Sequence, residues 1–499
     1  MFASKRYINF QRYICGKRFL FNLRNAQDHD KAKLFDIMKQ RKGSVVTDAD
    51  ALDKFNTDWT GKYKGHSKYV LMPKDVNEIS EILKYCNTEK IGVVPQGGNT
   101  SVVGSSVAIG EEIILSLARL NEIESFDESN GIVVCGPGTI LQTLQEIVCN
   151  KYNHLVPIDL GSKGTCMIGG NLSTNAGGQY YYRFGSIHAN IIGLEVVLAN
   201  GTILNLMNLN RKDNTGYDLK HLFIGAEGTL GVITKLALSC PPLPRSKNAA
   251  FIACNTYKDV QQTLKYAKEE LGEILSAFEL LDKAVLDQVI SEKEVPLTQN
   301  DGTNYAFCLL VETQGSNNSH DQEKMESFLQ RCMEDGNVID GVLAQDIKQQ
   351  SNMWEIRESC NPIIKSKGYN YKYDISLPIK EYYTIVEEIR DRLSTCDQAV
   401  EVVNWGHVID GNLHLNIITP GKFEVDSDLL HLIEPFIFEF VVERGGSISA
   451  EHGLGQCKND YLGKYAKTPE VLSVMLMLKK SFDPNGILNP GKFLPTNLF

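Results

Sequence analysis

Two histidines and a later glutamate carry the residue types of a metal-dependent catalyst. The histidines lie in the run Asn404 to Asn416, N-W-G-H-V-I-D-G-N-L-H-L-N, where apolar, strand-like segments flank Asp410-Gly411. Asp-Gly between such segments predicts a tight β-hairpin. With a two-residue turn, His407 would pair with His414, and directly opposed residues place their Cβ atoms about 4.5–5.5 Å apart. The hairpin therefore predicts two imidazoles that share one metal ion.

A divalent ion needs more ligands, and the segment Ser449 to Gly453 is expected to supply a third. It reads S-A-E-H-G, which is a turn-like sequence. His407, His414 and Glu451 form a set typical of catalytic zinc, with one position open for water or substrate. The alternative is that the three are ordinary polar residues on a hairpin and a loop.

Three glycine-rich zones in the first half of the chain predict a large cofactor close to the backbone. They are Pro95 to Ser101, residues 161–178 and Ile224 to Ile233. Glycine allows positive φ, and successive backbone N–H groups can then line a concavity for an anion such as pyrophosphate. No G-x-G-x-x-G motif follows a predicted strand, so a nicotinamide site of the Rossmann type is not indicated.

Composition bounds the class of protein. At 499 residues, with 42% apolar and 22% charged residues, the chain predicts two or three soluble domains. A net charge of −10 without a basic stripe argues against a nucleic-acid binder. No apolar run approaches the ~18 residues of a membrane-spanning helix. The 12 cysteines form no C-x-x-C pair, which indicates reduced, buried thiols.

The first 27 residues differ from the rest in charge. They contain basic residues separated by large apolar ones, and no Asp or Glu occurs before Asp28. This pattern predicts a mitochondrial transit peptide over residues 1–27. Charges interrupt every candidate apolar core of a secretory signal, and a disordered basic tail is the remaining alternative.

The elements that must position these residues follow from periodicity. A short strand at Tyr69 to Leu71, a helix after Pro73 to Asp75 and a strand at Ile91 to Val94 predict a small α/β unit. Later strand-like runs, such as Ala249 to Ala253, alternate with polar helices, such as Tyr382 to Leu393. The predicted segments are a transit peptide at 1–27, a lead-in at 28–65, a cofactor domain at 66–245, a substrate domain at 246–440 and a C-terminal segment at 441–499.

Several segments resemble a known family. Those resembling the FAD-binding domain of the vanillyl-alcohol-oxidase type are Pro95 to Ser101, Gly169 to Gly178 and Glu227 to Ile233. Those resembling its FAD-linked oxidase cap and C-terminal segment are Gly406 to His414 and Ser449 to Gly453. Further specific matches are Lys212 to Leu219, Tyr371 to Asp374 and Asp483 to Pro490. The resemblance covers residues 66–499 and is greatest for mitochondrial enzymes that oxidise D-2-hydroxy acids. It implies an α+β fold: a two-subdomain FAD-binding domain (PCMH type), an α/β substrate (cap) domain, and a C-terminal segment that returns to the flavin domain.

The resemblance also implies the residues that hold the flavin. They come from the three glycine-rich zones and from one C-terminal asparagine: Gln96, Gly97, Gly98, Asn99, Thr100, Ser101, Gly161, Ser162, Gly169, Gly170, Ser173, Asn175, Gly177, Gly178, Glu227, Gly228, Gly231, Ile233 and Asn489. No histidine or cysteine lies in Pro95 to Ser101, and Cys166 and His188 are only nearby, so the FAD is expected to be non-covalent. The implied electron acceptor is an electron-transfer flavoprotein, and a homodimer stays open.

The expected chemistry assigns roles to these groups. Oxidation of a 2-hydroxy acid removes a hydride and a hydroxyl proton from one alcohol, and the flavin ring is a suitable hydride acceptor. A metal held by His407, His414 and Glu451 would bind substrate oxygens and lower the pKa of the hydroxyl. His452 is the candidate base, since an imidazole has an ordinary pKa of about 6.5. The alternative role for His452 is structural.

The anionic substrate needs cations. By resemblance, Arg357 and Lys372 bind its carboxylates, as a bidentate fork and a point charge respectively. Asn361 stands where the family has a hydroxyl-bearing residue, so the contact and the substrate preference can differ there. Asn416 and His452 complete the implied substrate-binding set. Two cations favour D-2-hydroxyglutarate, which has two carboxylates, over D-lactate.

Three other functions use parts of the same pattern. A D-lactate dehydrogenase would share the flavin and metal residues but need only one anion-binding group. A zinc hydrolase would use His407, His414 and Glu451 to activate water, and the glycine-rich zones would be turns. A flavin-bound sensor would have no use for a complete metal set beside a base. Flavin absorption of the purified protein separates the hydrolase from the others.

Overall fold

The computed structural model describes residues 23–40, 43–293, 295–297, 305–396 and 400–498. The chain forms two compact units. Unit 1 comprises the chain up to Gly177, Ser186–Pro242 and everything from His452 onward; unit 2 comprises Gly178–Gly185 and Leu243–Glu451. Most of the predicted transit peptide, residues 1–22, lies outside the described residues and stays a prediction, as do the predicted domain limits.

Helices and strands alternate along most of the chain. The helices are α1 Asp28–Gln40, α2 Ala49–Asn56, α3 Val76–Glu89, α4 Leu141–Tyr152, α5 Ile168–Ser173, α6 Tyr181–Phe184, α7 Ile187–Asn190, α8 Tyr257–Glu270, α9 Lys283–Ile290, α10 Asn318–Glu334, α11 Ile347–Lys367, α12 Thr384–Leu393, α13 Ser427–Glu443, α14 Asn459–Tyr461 and α15 Pro469–Phe482. The strands are β1 Ser44–Val46, β2 Val70–Met72, β3 Val93–Gln96, β4 Ile113–Ser116, β5 Ile123–Asp127, β6 Ile132–Cys135, β7 Ile191–Val197, β8 Ile203–Leu206, β9 Val232–Ser239, β10 Ser246–Cys254, β11 Leu275–Asp282, β12 Phe307–Gly315, β13 Asp340–Leu343, β14 Gly368–Ser376, β15 Glu401–His407 and β16 Asn412–Pro420. This mixture of helices and sheets confirms the α+β class.

Unit 1 contains two sheets. A four-stranded sheet has the order β1-β2-β4-β3, and a five-stranded sheet has the order β5-β6-β9-β7-β8. The predicted α/β unit is confirmed, with β4 lying parallel between β2 and β3. Its helix α3 begins where predicted, because Asp75 and Glu78 form a capping box that satisfies backbone N–H groups at the helix start. The face of α3 with Ile79, Ile82 and Leu83 is fully buried.

Unit 2 is built on a seven-stranded sheet of order β13-β10-β12-β11-β15-β16-β14. Every strand pair in it is antiparallel. All eight residues of β11 are buried, which is typical of a strand covered on both faces. Ile356 and Cys360 of α11 pack with Leu281 and Trp405 of the sheet in one apolar cluster. Helix α11 therefore covers the sheet face that bears Trp405.

The predicted hairpin forms, but the predicted strand register was wrong. The loop between β15 and β16 has four residues, Val408 to Gly411, rather than two. His407 pairs with Asn412, and Trp405 pairs with His414. Gly411 has φ +81°, and a Cβ there would lie 2.3 Å from the carbonyl oxygen of Leu377. Only glycine tolerates this close approach, which packs the four-residue loop against the backbone at Leu377.

The described helices include none that is both long and apolar enough to cross a membrane. The start of the described chain is built into unit 1. Arg24 forms ion pairs of 2.6 Å with Asp30 and with Glu89, and the Arg24 charge holds the pKa of Asp30 well below its usual range. Residues from 23 onward therefore belong to the folded unit.

Candidate active site

The predicted metal ligands lie on one face of the sheet of unit 2. Glu279 of β11 pairs with His407 of β15, and His414 of β16 lies between Trp405 and Asp374 of its two neighbouring strands. Alternate residues of a strand share a face, so His407 and Trp405 point the same way. One sheet face thus carries Glu279, His407, His414 and Asp374.

The structure brings the three predicted ligands together. One donor atom from each of His407, His414 and Glu451 lies within 4.8 Å of the other two. The imidazole centroids of His407 and His414 are 5.4 Å apart, and Nε2 of His407 lies 3.9 Å from Oε1 of Glu451. Both histidines are 5% exposed. Two imidazoles and one carboxylate at this spacing fit a catalytic zinc site with three protein ligands.

The second nitrogen of His407 has a partner that the sequence analysis missed. Nδ1 of His407 lies 2.5 Å from Oε1 of the buried Glu279. Metal-binding histidines usually donate their other N–H to a carboxylate or carbonyl, which fixes the tautomer and the ring orientation. The arrangement therefore leaves Nε2 of His407 directed toward Glu451, as a metal ligand requires.

The charges around these side chains perturb their pKa values. Burial opposes the charge of His407, but Glu279 outweighs it and raises the pKa to about 9. Burial also works against the Glu279 charge, yet His407 and Arg357 lower the pKa of that carboxyl to about 2. Burial, and then the charge of His407, lower the pKa of His414 far below its ordinary value. Glu279 is therefore ionised and His414 neutral, whereas His407 carries a proton that a bound metal ion would displace.

Glu451 is held by two backbone contacts. Its own N–H donates to Oδ2 of Asp374 over 2.8 Å. Its Oε1 accepts a hydrogen bond of 2.7 Å from the N–H of Gly178. Gly178 was expected to bind the cofactor; the structure places it in unit 2, where it orients a predicted metal ligand. Burial raises the pKa of Glu451, against the lowering effect of His407.

The predicted substrate residues of unit 2 surround the same sheet face. Arg357 of α11 donates from Nε to Oε2 of Glu279 over 2.8 Å. Lys372 pairs with Asn416 across β14 and β16, and its Nζ lies 3.5 Å from Oδ1 of Asn361. Burial and the charge of His407 are the main causes of the low pKa of His414. The positive charges of Arg357 and Lys372 lower this pKa further, so both cations are close enough to act on His414.

Asn416 already has protein partners at both ends of its amide. Its Nδ2 donates to the carbonyl of His414 over 2.8 Å, and its Oδ1 accepts from Nδ2 of Asn370. These bonds fix the strand that carries His414. His452, the candidate base, is the residue after Glu451 and begins the last segment of unit 1.

The first glycine-rich zone follows β3 in unit 1. A Cβ on Gly98 would lie 2.2 Å from the carbonyl oxygen of Thr165, so the chain there needs glycine for close packing. Asn99 has φ +54°, and its Nδ2 donates to the carbonyls of Lys54 and Thr57. The Asn99 side chain thus stabilises the conformation of this loop.

Two other predicted cofactor residues of unit 1, Glu227 and Asn489, connect earlier loops to the C-terminal segment. Asn489 donates from Nδ2 to the carbonyls of Ser105 and Glu227. The Glu227 carboxylate accepts from the N–H groups of Leu454 and Gly455. Glu227 therefore ties the third glycine-rich zone to the C-terminal segment, and burial raises its pKa to about 7. Gly161 and Ser162 lie in the turn before α5, Gly169, Gly170 and Ser173 within α5, and Gly231 and Ile233 at the start of β9.

These zones have features that fit a bound FAD. Oε1 of Gln96, Oδ1 of Asn171 and Oδ1 of Asn175 are buried without a hydrogen-bond partner among the described residues. A Cβ on Gly170 would meet no described atom within 4 Å. Buried acceptors without partners are costly in a folded protein. A ligand rich in hydroxyl and N–H donors beside the open space at Gly170 would satisfy them.

Two residues of this arrangement were not assigned from the sequence, Glu279 and Asp374. Glu279 lies in L-S-A-F-E-L-L-D, where a single carboxylate interrupts an apolar strand. A buried charge of this kind is a usable signal, because burying a charge is costly unless it has partners. Asp374 belongs to the segment Tyr371 to Asp374, which supported the family resemblance but was given no role.

Comparison with known proteins identifies relatives that match most of the chain. Residues 243–493 match the family model for the C-terminal domain of FAD-linked oxidases, and residues 67–207 match that of an FAD-binding domain. The chain is 48% identical to the mitochondrial D-2-hydroxyglutarate dehydrogenase of Arabidopsis thaliana, over 91% of this chain and 80% of that protein. It is 45% identical to the enzyme of the same name from Danio rerio, over 91% and 84%. A Saccharomyces cerevisiae D-2-hydroxyglutarate–pyruvate transhydrogenase is 41% identical, over 89% and 90%.

The fold is shared with a solved flavoenzyme. The structure of p-cresol methylhydroxylase with bound substrate superposes with a TM-score of 0.73, covering 95% of this chain and 98% of that chain. Sequence identity is 13%, so this similarity concerns the fold alone. It confirms the predicted architecture, a PCMH-type FAD-binding domain with a substrate domain.

Proposed function

The chain belongs to the FAD-linked oxidase family, and from this membership we propose that it oxidises D-2-hydroxyglutarate to 2-oxoglutarate. The plant and fish relatives carry that activity in their names, and both match this chain over most of its length. The observation that carries the proposal is the sheet face of unit 2. A set of metal-binding side chains there lies beside two cations, Arg357 and Lys372, which suits a dicarboxylate.

We propose that His407, His414 and Glu451 bind one divalent ion, zinc by its ligand preference. Such an ion supplies Lewis-acid chemistry that lowers the pKa of the substrate hydroxyl. Bound FAD supplies a two-electron acceptor for the hydride of the C2–H bond. The rest of the reaction is performed by the protein's own side chains.

Those side chains bind the acid and remove a proton. Nε of Arg357 donates to Glu279, which orients the guanidinium, and the Nη2 end can bind a substrate carboxylate. Lys372 provides the second positive charge, and Asn361 an amide beside it. His452 follows Glu451 directly in the chain, and we propose that it is the base that accepts the proton of the substrate hydroxyl. Loss of one proton and one hydride balances the oxidation of the alcohol to a ketone.

We further propose that the FAD is non-covalent and that the protein works in the mitochondrial matrix. The plant and fish relatives are named mitochondrial, and the basic, acid-free residues 1–27 agree with import. The proposed acceptor for the flavin electrons is an electron-transfer flavoprotein, and the proposed assembly is a homodimer. A second acceptor is favoured by the yeast relative, whose name gives pyruvate as a co-substrate. Passing the electrons to pyruvate would form lactate.

The test is flavin reduction under anaerobic conditions. The purified protein is mixed with D-2-hydroxyglutarate, its L enantiomer or D-lactate, and the loss of flavin absorbance is followed. We expect rapid bleaching by D-2-hydroxyglutarate, slower bleaching by D-lactate and none by the L enantiomer. Faster bleaching by D-lactate would replace the proposal with a D-lactate dehydrogenase, and absence of bound flavin would replace it with a hydrolase. Adding pyruvate to the reduced protein tests the second acceptor.

A further inference from the structure

Glu279 joins a predicted metal ligand to a predicted substrate-binding residue. Its Oε1 bonds His407, and its Oε2 bonds Arg357. We propose that Glu279 is a positioning residue, which holds His407 for the metal and Arg357 for a substrate carboxylate at the same time. This inference rests on the proposed function and adds to it a residue that contacts neither substrate nor metal.

The contact to His407 follows from the sheet itself. Glu279 and His407 are direct partners across β11 and β15, so the side chains leave the same face side by side. Nδ1 of His407 lies 2.5 Å from Oε1 of Glu279, and Nε2 lies 3.9 Å from Oε1 of Glu451. Accepting the Nδ1 proton makes Nε2 the nitrogen with an available lone pair. Without Glu279, neither the ring rotation nor the tautomer of His407 would be set.

The contact to Arg357 comes from helix α11, which packs on the sheet. Helix α11 covers this sheet face, and Nε of Arg357 reaches Oε2 of Glu279 over 2.8 Å. The Arg357 side chain is 12% exposed and that of Glu279 is 1% exposed. A buried guanidinium needs a charged partner, and Glu279 is the nearer of two, since Oε1 of Glu358 lies 4.0 Å from Nη1 of Arg357. Because the bond to Glu279 uses Nε, the Nη2 end of the guanidinium can bind a substrate carboxylate.

Only a carboxylate can serve both neighbours. Glu279 receives one N–H from an imidazole and one from a guanidinium, on two different oxygens. A glutamine has a single acceptor oxygen, and its NH₂ group would face the other donor. Glu279→Gln therefore keeps the side-chain volume but must lose either the His407 bond or the Arg357 bond.

A matched control lies in the same sheet. Glu312 of β12 is fully buried and faces Ala277 of β11. Its Oε2 also binds one cation and one ring N–H, from Lys247 over 2.8 Å and from Trp354 over 2.6 Å. Glu312→Gln therefore makes the same chemical change in a similar environment away from the predicted ligands.

The experiment measures metal affinity without substrate. Flavin-loaded wild type, Glu279→Gln and Glu312→Gln are stripped of metal and titrated with Zn²⁺ against a chromophoric chelator. We expect Glu279→Gln to bind Zn²⁺ about 10–100-fold more weakly than wild type, the usual effect of removing such a carboxylate. Glu312→Gln should bind as wild type does. Glu279→Gln should also raise KM for D-2-hydroxyglutarate, since Arg357 loses its anchor, while the flavin content stays the same.

The outcomes separate this inference from the proposed function. Equal Zn²⁺ affinity in wild type and Glu279→Gln, or equal weakening in both variants, would overturn the role of Glu279. If wild type and His414→Ala take up Zn²⁺ equally well, the metal site itself is wrong. Should Glu279→Gln not fold, Glu279→Asp keeps both acceptor oxygens but withdraws them by one methylene. An affinity between those of wild type and His414→Ala supports the inference, and wild-type affinity overturns it.

Discussion

The imidazoles of His407 and His414 lie 5.4 Å apart between centroids although the two residues are not strand partners. His414 faces Trp405, two positions before His407 on the same strand. The histidines meet diagonally, which leaves the position beside His407 to Glu279 on the next strand. A diagonal pair thus brings both rings and a supporting carboxylate onto one face.

The first prediction concerns the metal. His407→Ala and His414→Ala should each remove bound zinc and abolish most turnover, because two of three protein ligands cannot hold a catalytic ion well. Flavin content should stay at the wild-type level, since the glycine-rich zones, apart from Gly178, belong to unit 1. Metal analysis and the flavin spectrum of the same samples check this. Full activity of wild type after complete chelation would contradict it.

That His407, His414 and Glu451 lie together could be predicted from their residue types and from the hairpin signal, while their role as metal ligands stays a prediction. The partners that orient them could not be predicted. Glu279 is 128 positions from His407, and only the pairing of β11 with β15 joins them. The register failed for a related reason: Asp-Gly indicates a two-residue turn, but the contact of Gly411 with Leu377, a residue outside the hairpin, favours a four-residue loop. Local sequence patterns do not indicate which strands pair when they are far apart in the sequence.

Where the local signal was complete, the prediction held. The helix after Asp75 begins at Val76, because the cap and the apolar spacing are both contained in one short segment. The cofactor role of the glycine-rich zones stays a prediction, and within them the side chains of Asn99 and Glu227 bind protein backbone. Sequence alone does not distinguish a residue that contacts a cofactor from one that shapes the loop around it.

The second prediction concerns pH and Glu227. Burial raises the pKa of this carboxyl to about 7, above the ordinary 4.5. The folded state therefore binds more protons than the unfolded state between these values, so stability falls as pH rises through that window. A shift of this size corresponds to about 3 kcal/mol in the free energy of unfolding. Urea unfolding at pH 5 and 7.5, at equal flavin loading, should show a decline in wild type that is absent from Glu227→Gln. Parallel pH profiles would contradict this origin.

The third prediction concerns the base. His452→Ala should slow flavin reduction by about 10²–10⁴-fold, the range for loss of a general base. Substrate affinity should change less, because Arg357 and Lys372 are intact. Stopped-flow reduction over a range of D-2-hydroxyglutarate concentrations separates rate from affinity. A variant with a normal limiting rate and weaker binding would make His452 a binding residue instead.

The fourth prediction concerns substrate choice. D-2-Hydroxyglutarate has a carboxylate beside its hydroxyl and a second, remote one, which needs its own partner. A hydrogen bond to a charged group contributes about 1.5–3 kcal/mol. Removing the cation that binds the remote carboxylate should therefore lower kcat/KM by about 10–150-fold. The same variant should hardly affect D-lactate, which has no remote carboxylate.

The variants that test it are Arg357→Ala and Lys372→Met, with Lys365→Met as the control. Lys365 is an exposed lysine of α11, so Lys365→Met changes the net charge by the same amount as Lys372→Met. Values of kcat/KM for both acids are compared in all four proteins. In either Arg357→Ala or Lys372→Met, kcat/KM should fall for D-2-hydroxyglutarate but not for D-lactate. That variant identifies the residue that binds the remote carboxylate. If kcat/KM falls equally for the two acids in both variants, or if wild type prefers D-lactate, Arg357 and Lys372 do not select a dicarboxylate substrate.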